Sequence, residues 1–142
     1  MKNLYFLIAI ILLLLLRPAP AVAAQELVRQ INAYRAANKL PYLRENSSLN
    51  ASAMLKACDM RDNDYFSHAD LRGAYSWHLF IENGYRYRYA GENLAKNYSD
   101  DAIIAAAFMA SPTHRSIMLK PAYRDIGVGK CGVYTAVHFG RK

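Results

Sequence analysis

The segment Ser111-Pro112-Thr113-His114-Arg115 says more about the fold than any other stretch of this sequence. Ser111 and Pro112 predict the start of a helix, because a serine hydroxyl can accept from the free amides of the first turn and proline is preformed for its first position. His114 then lies in that turn, where the helix dipole favours neutral imidazole. A neutral histidine is suited to binding a metal ion or accepting a proton, although a lone histidine at this position is more often a hydrogen-bonded surface residue.

Two earlier segments also carry a side chain that can bind or release a proton, a histidine in the first and a glutamate in the second. Phe66-Ser67-His68 lies in a stretch without helical or strand period, so His68 is expected on a loop. Gly91-Glu92-Asn93-Leu94-Ala95 places Glu92 beside apolar residues, where burial raises the pKa of a carboxyl group unless a cation or donors compensate. Two roles for Glu92 stay open: a general base or partner of a metal-bound water, or a buried carboxylate that holds backbone amides together.

Residues 1–23 predict an export signal. Lys2 gives a positive start, an apolar run of 13 residues follows, and Ala21-Val22-Ala23 presents small residues at the positions that signal peptidase reads. The run is shorter than the ~20 residues of a membrane-spanning helix. We therefore expect cleavage after Ala23, a released chain of residues 24–142 without a transmembrane anchor, a monomer, and a secreted or periplasmic location.

Charge and length narrow the class of partner. Without the first 23 residues the chain has 16 basic and 11 acidic residues, a net charge of +5. Such a length allows one domain with one core. The basic residues are scattered along the sequence, with Arg86 and Arg88 the densest pair, whereas nucleic-acid-binding proteins cluster them. No nucleic-acid partner is expected, which leaves a small molecule, a lipid or a protein.

Two cysteines, Cys58 and Cys131, remain in the exported chain. A disulfide between them would close a loop of about 70 residues and stabilise the fold by ~4 kcal/mol. The alternative is two unpaired, buried thiols that behave as small hydrophobic side chains. An oxidising compartment favours the disulfide.

Hydrophobic periodicity predicts an α+β sandwich, a small and mostly antiparallel sheet flanked by helices. Tyr85 to Tyr89 alternates aromatic and cationic residues, which indicates a strand whose arginines are a solvated edge or, alternatively, a site for anionic glycans or lipid headgroups. A helix capped by Asp100 or Asp101 is almost wholly apolar, which predicts burial on most sides. The expected helices cover 24–38, a segment that begins after Ser47 or Ser48 and ends near Asn63, 75–83, 102–110 and 112–119, and the apolar faces of the first two are expected to pack inward. The expected strands cover 85–89, 125–130 and 133–139, with Glu92 at the end of the first and a hairpin turn at Cys131-Gly132 between the last two.

The three opening segments, followed by Ile126-Gly127-Val128-Gly129 and Val137-His138-Phe139-Gly140, resemble in their order the motifs of the bacterial branch of the CAP superfamily. That superfamily includes cysteine-rich secretory proteins, antigen 5 and plant pathogenesis-related proteins, and its module is also called the SCP domain. The resemblance covers roughly residues 26–140. It implies a three-layer α-β-α sandwich.

In similar proteins two histidines and one or two acidic residues line a cleft and can hold a divalent ion. The resemblance assigns His68 and His114 as the histidines and Glu92 as the acidic residue, which makes all three catalytic candidates and the two histidines metal ligands. A second acidic residue has no match, since its place falls near Ser111, and Phe108 stands where many relatives have tryptophan. Two imidazoles and a carboxylate suit Zn²⁺ with an open water position, held loosely because only two protein ligands are firm.

Three classes of function stay open. The first is a secreted CAP-domain protein whose His/Glu cleft binds Zn²⁺ or another divalent metal weakly, with metal-dependent hydrolysis as a conceivable activity. The second is a lipid- or sterol-binding module that uses an apolar groove. The third is a secreted interaction or antimicrobial protein, a role that suits a basic exported chain. His78 belongs to no motif and is expected to be an ordinary, partly buried histidine.

Overall fold

The computed structural model describes residues 20–142, which contain five helices and four strands joined by loops. The predicted export signal lies outside the described residues, apart from its last four positions, which form the first turn of the first helix. In chain order the elements are α1 (Pro20–Ala37), β1 (Arg44–Glu45), α2 (Ser47–Asp62), α3 (Trp77–Glu82), β2 (Tyr89–Lys96), α4 (Asp101–Ala110), α5 (Pro112–Met118), β3 (Asp125–Cys131) and β4 (Tyr134–Arg141).

The strands form one mixed sheet in the order β1-β3-β4-β2, so β2 lies at an edge. The short β1 runs parallel to β3, and the other neighbours are antiparallel. The predicted hairpin is confirmed, with its turn at Gly132 and Val133, one residue later than expected. Gly132 has φ +59°, a left-handed conformation that glycine adopts without steric cost.

Helices cover both faces of the sheet, which confirms the three-layer α-β-α sandwich. On one face α2 lies directly on β3, because Gly127 and Gly129 bring the two backbones so close that a Cβ atom at either glycine would overlap the backbone of α2. Helices α1, α4 and α5 pack over the other face around a core that includes Leu27, Ile31 and Ile126. The predicted inward faces of α1 and α2 are therefore correct, although α2 is capped by Asn46, whose side chain accepts from two first-turn amides.

The disulfide between Cys58 and Cys131 is present, which excludes the two free thiols. Its Cα atoms lie 5.0 Å apart and its half-cystines are 73 residues apart in the chain. The bridge joins α2 to the last residue of β3, and the close approach of these two elements makes the link possible.

The predicted strand over residues 85–89 is wrong, since β2 begins only at Tyr89. Tyr85 is fully buried against Phe80 and donates its hydroxyl to Asp125 at 2.7 Å, while Arg86 extends into solvent. The alternation of aromatic and cationic residues therefore arises because Tyr85 packs against the domain and the arginines face solvent, and not because the segment pairs as a strand. Glu92 accordingly lies in the middle of a strand instead of after its end.

Helix α4 is less buried than its apolar sequence suggests. Asp100 caps it as one of the two expected residues, and Ile104 and Phe108 face the core. Ile103, however, is 55% exposed, and several alanines beside it also face solvent. Small apolar side chains are inexpensive to expose, so the prediction of burial on most sides is wrong.

Candidate functional site

His68 lies on the loop between α2 and α3, as expected, and the loop is held in place at several points. Asp70 accepts from the amides of Arg72 and Ala74, which closes the turn after the histidine. Lys56, a buried lysine of α2, donates its Nζ to the carbonyl oxygen of His68 at 3.0 Å. The His68 side chain is 49% exposed and makes a 2.7 Å contact from Nδ1 to Oε1 of Glu92.

Glu92 projects from β2 into a set of three hydrogen-bond donors. Its Oε1 accepts from His68, and its Oε2 accepts from Ser76 Oγ at 2.5 Å and from His138 Nε2 at 2.9 Å. Burial by itself would raise the pKa of this carboxyl group, which is only 3% exposed, but the three donors outweigh burial and lower the pKa to about 2. Glu92 is therefore a carboxylate at neutral pH, and its partners are side chains and not backbone amides.

His138 is a member of the site to which the sequence assigned no role. It sits opposite Glu92 in the β2–β4 register and is fully buried, with Nδ1 2.8 Å from Ser52 Oγ. Burial lowers the pKa of His138, and this effect is opposed by the hydrogen bond to Glu92. In a neutral ring Nε2–H donates to Glu92, and Nδ1 accepts the single hydroxyl proton of Ser52, for which the carbonyl oxygen of Leu49 at 3.0 Å competes.

His114 stands in the first turn of α5, as the Ser-Pro start predicted, but the role of Ser111 differs from the expectation. The Ser111 hydroxyl makes no cap to the helix amides and instead lies 2.9 Å from Nδ1 of His114. The imidazole packs on the ring of Phe108, and Asn93 donates its side-chain amide to the His114 carbonyl at 3.0 Å. Burial, together with the charge of His68, lowers the pKa of His114, which favours the neutral ring.

The structure places His68, Glu92 and His114 in one region, but only two of them are in direct contact. His68 and Glu92 are in direct contact, whereas His114 is close enough to His68 for their charges to interact. Within residues 20–142, no three His, Cys, Asp or Glu side chains are grouped as ligands of one metal ion. The arrangement therefore offers two imidazoles as ligands, with the carboxylate behind one of them.

An apolar groove of about 330 Å³ opens beside His68 and Glu92. Tyr75 and Trp77 form one wall, with their rings stacked at 6.4 Å, and Ile117 and Tyr123 belong to the opposite layer. A smaller cavity of about 200 Å³ lies on the His114 side. The polar pair His68–Glu92 therefore borders a surface that suits an apolar group.

His78 takes no part in this site. It is partly buried, and its Nδ1 lies 2.8 Å from the carbonyl oxygen of Tyr75. This agrees with the expectation of an ordinary histidine.

The chain is thus an α-β-α sandwich that has a histidine-bearing loop and a histidine-bearing helix start beside its edge strand β2. The model of the cysteine-rich secretory protein family, CAP, matches residues 28–136. This chain therefore belongs to the CAP family.

Relatives in that family come from several bacteria. The chain is 33% identical to the protein YkwD of Bacillus subtilis over 105 residues, which are 74% of this chain and 41% of YkwD. An extracellular SCP-domain protein from Bacillus anthracis superimposes with a TM-score of 0.82 at 25% identity, over 89% of this chain and 45% of that one. A cysteine-rich secretory protein from Staphylococcus aureus superimposes with a TM-score of 0.75 at 23% identity, over 89% and 41%. This chain thus spans less than half the length of these three proteins.

Proposed function

We propose that this is an exported CAP-domain protein whose cleft binds a divalent metal ion through Nε2 of His68 and Nε2 of His114. The observation that carries the proposal is that both Nδ1 atoms are already engaged, one by Glu92 and the other by Ser111. Each ring is thereby oriented, and the nitrogen left for a ligand is Nε2.

Glu92 has the role of an orienting group in this proposal. A carboxylate that accepts from Nδ1–H of a histidine fixes the tautomer with a lone pair on Nε2 and raises the basicity of that nitrogen. With a pKa of about 2 and three donors around it, Glu92 is poorly suited to take a proton near neutral pH. The sequence left two roles open for Glu92, a general base or a buried structural carboxylate. The geometry favours the structural role, with the side chains of His68, Ser76 and His138 as partners instead of backbone amides.

Two protein ligands hold a metal ion less tightly than the three or four of a typical zinc site. Bound Zn²⁺ would supply Lewis acidity and a water of lowered pKa, the requirements of a hydrolytic reaction. The surrounding residues would keep His114 neutral through burial against Phe108 and would hold His68 through Lys56 and Glu92.

The test is a calorimetric Zn²⁺ titration of the wild type and three single variants. His68→Ala and His114→Ala should each abolish binding, and affinity in the wild type should fall below about pH 6, because a histidine ligand must be neutral. His78→Ala is the matched control, since it removes a histidine outside the site, and it should bind as the wild type does. Wild-type affinity in both cleft variants would remove the basis of the proposal.

The apolar groove beside the cleft supports a second candidate, the binding of a lipid or sterol. Trp77 is the only tryptophan of the chain and lines this groove, so its fluorescence should report an apolar ligand directly. Titration with a fatty acid or a sterol should change that fluorescence equally in the wild type and in His114→Ala. No change in the wild type would argue against this candidate.

Export is the part of the proposal that concerns location. It rests on the N-terminal sequence and on the extracellular SCP-domain relative from Bacillus anthracis. Across residues 20–142 no helix has both the length and the hydropathy to span a bilayer. Mass spectrometry of protein released by the cell should find a chain that starts at or near Ala24, and an intact Met1 in a membrane fraction would contradict this expectation.

A further inference from the structure

Basic residues that are scattered along the sequence come together at one end of the sheet. Because β4 is antiparallel to both of its neighbours, the ends of β4 and the starts of β1, β2 and β3 all meet there. The amide of Arg88 donates to the carbonyl oxygen of Arg141 at 2.7 Å, and the amide of Arg44 donates to that of Arg124 at 2.9 Å. These four arginines therefore lie at the ends of neighbouring strands. The basic end, as we call this surface, consists of Arg44, Arg86, Arg88, Lys120, Arg124, Arg141 and Lys142.

The charge of the basic end is largely uncompensated. Six of its seven basic side chains belong to exposed residues, and Arg124 is half-buried. The acidic residues nearby are Asp125 and Glu45. Asp125 is 9% exposed, accepts from Tyr85 and lies 3.7 Å from the guanidinium of Arg44, so the charge of Arg44 has a partner. Glu45 accepts from an asparagine of α2. Glu82 lies shortly before this segment, and its charge acts on Arg72.

At the opposite end of the sheet, where β2 and β3 finish, basic side chains have acidic partners. Lys130 pairs with Asp101, and Arg61 pairs with Asp62. The eight residues of β2 separate the two ends by roughly 26 Å. The domain therefore carries a charge asymmetry along its strands, and an anionic surface would attract the basic end first.

Two features at the basic end point to a bilayer as that surface. Tyr42 and Tyr89 are 65% and 43% exposed beside the arginines, and tyrosine is enriched where a protein meets lipid headgroups. Lys120 lies 5.7 Å from the ring of Tyr123, which also lines the apolar groove, so the groove opens next to the basic end. A cationic face beside an apolar groove matches the chemistry of an anionic lipid.

We infer that the basic end is a docking surface for a bilayer that contains anionic lipids. The arginines and lysines of four strand ends contact headgroup phosphates, and Tyr42 and Tyr89 lie at the level of the headgroups. This orientation places the mouth of the apolar groove at the membrane. The inference is independent of metal binding, because none of the seven basic residues belongs to the histidine cleft.

The experiment measures co-sedimentation of the protein, as released by an exporting host, with vesicles of phosphatidylcholine that do or do not contain phosphatidylglycerol. The test variant is Arg86→Gln combined with Arg88→Gln. The matched control is Arg61→Gln combined with Arg72→Gln, which removes the same charge from two exposed arginines outside the basic end. Thermal unfolding of both variants verifies that they are folded.

The wild type should bind only the vesicles with phosphatidylglycerol and should be released by salt, because the contacts are electrostatic. The partition coefficient of the test variant should be roughly thirty-fold lower, because each basic residue near an anionic bilayer contributes ~1 kcal/mol. The partition coefficient of the control should stay close to that of the wild type. Equal loss in both variants would show that only net charge matters, which overturns the inference. Binding of soluble heparin or polyphosphate with the same dependence on Arg86 and Arg88, and no vesicle binding, would overturn it in favour of a polymer.

Discussion

Replacing Glu92 by glutamine tests the interior of the site without changing its size. The side chain is 3% exposed, and its pKa is about 2 in the fold against an ordinary value of 4.5. A lowered pKa means that the carboxylate stabilises the fold above pH 4.5 and that this stability is lost as the pH falls toward 2. The difference corresponds to ~3 kcal/mol, because each pKa unit is worth ~1.4 kcal/mol.

The glutamine variant should therefore be less stable than the wild type by up to ~3 kcal/mol at neutral pH and should lose the acid dependence that Glu92 supplies. Urea unfolding at a series of pH values from about 7 to 3 measures both effects. Burial lowers the pKa of His114 and of His138, so protonation of these rings also destabilises the fold as the pH falls below 6.5. The contribution of Glu92 is therefore the difference in pH dependence between the wild type and the variant.

Glu26→Gln is the control, because it makes the same carboxylate-to-amide change at a residue on the surface instead of in the buried site. Hydrogen bonds from Arg29 and Gln30 also lower the pKa of Glu26 to about 2, but this carboxylate is on the surface, where solvent screens the pair. Its replacement should hardly change the unfolding free energy. Equal pH dependence of stability in the wild type and the Glu92 variant would refute the account of Glu92.

The same substitution should also impair metal binding. The amide oxygen can still accept from Ser76 and His138, which leaves the amide nitrogen facing Nδ1 of His68. Because that nitrogen donates, Nδ1 must then accept and the proton of His68 moves to Nε2. Glu92→Gln should thus weaken Zn²⁺ binding by about ten- to a hundred-fold, with both histidines still present.

Three further predictions concern the scaffold, and urea unfolding measures each of them. Cys58→Ser should cost ~4 kcal/mol, because its disulfide closes a long loop, and an unchanged midpoint would contradict that role. Gly129→Ala should cost ~3 kcal/mol or more, since its Cβ would meet the backbone of α2. Gly73→Ala, whose Cβ would meet nothing, should cost only the ~1–2 kcal/mol of a non-glycine residue at φ +83°. Tyr85→Phe should cost ~1–3 kcal/mol by leaving buried Asp125 without its donor, and a neutral result would show that solvent replaces the hydroxyl.

The sequence predicted the loop of His68 and the helix of His114 because their signals are local, but it did not predict β2, the strand that carries Glu92. Proline after serine sets the start of α5 and the place of His114, and the lack of any period around His68 indicates its loop. The resemblance to the family implied that His68 and Glu92 line one cleft, but it did not imply their direct contact. The hairpin and both long helices were likewise encoded by periodicity within short windows.

What the sequence missed depends on register and packing between distant segments. His138 reaches Glu92 only because β4 pairs with β2 in one particular register, and Ser76 reaches it because α3 packs against the same face. A period-two pattern predicts a strand but does not tell which residue lies opposite it. The clustering of basic residues at one end of the sheet has the same origin, since it arises from strand order and not from their spacing in the chain.

The protonation state of the histidine rings, observed by ¹⁵N NMR of the folded protein at neutral pH with and without Zn²⁺, tests the central claim most directly. The account predicts that His68 carries its proton on Nδ1, that His138 carries it on Nε2, and that Zn²⁺ shifts Nε2 of His68 and His114 alone. A proton on Nε2 of His68 in the metal-free protein, or a spectrum of His68 and His114 that Zn²⁺ leaves unchanged, would contradict it.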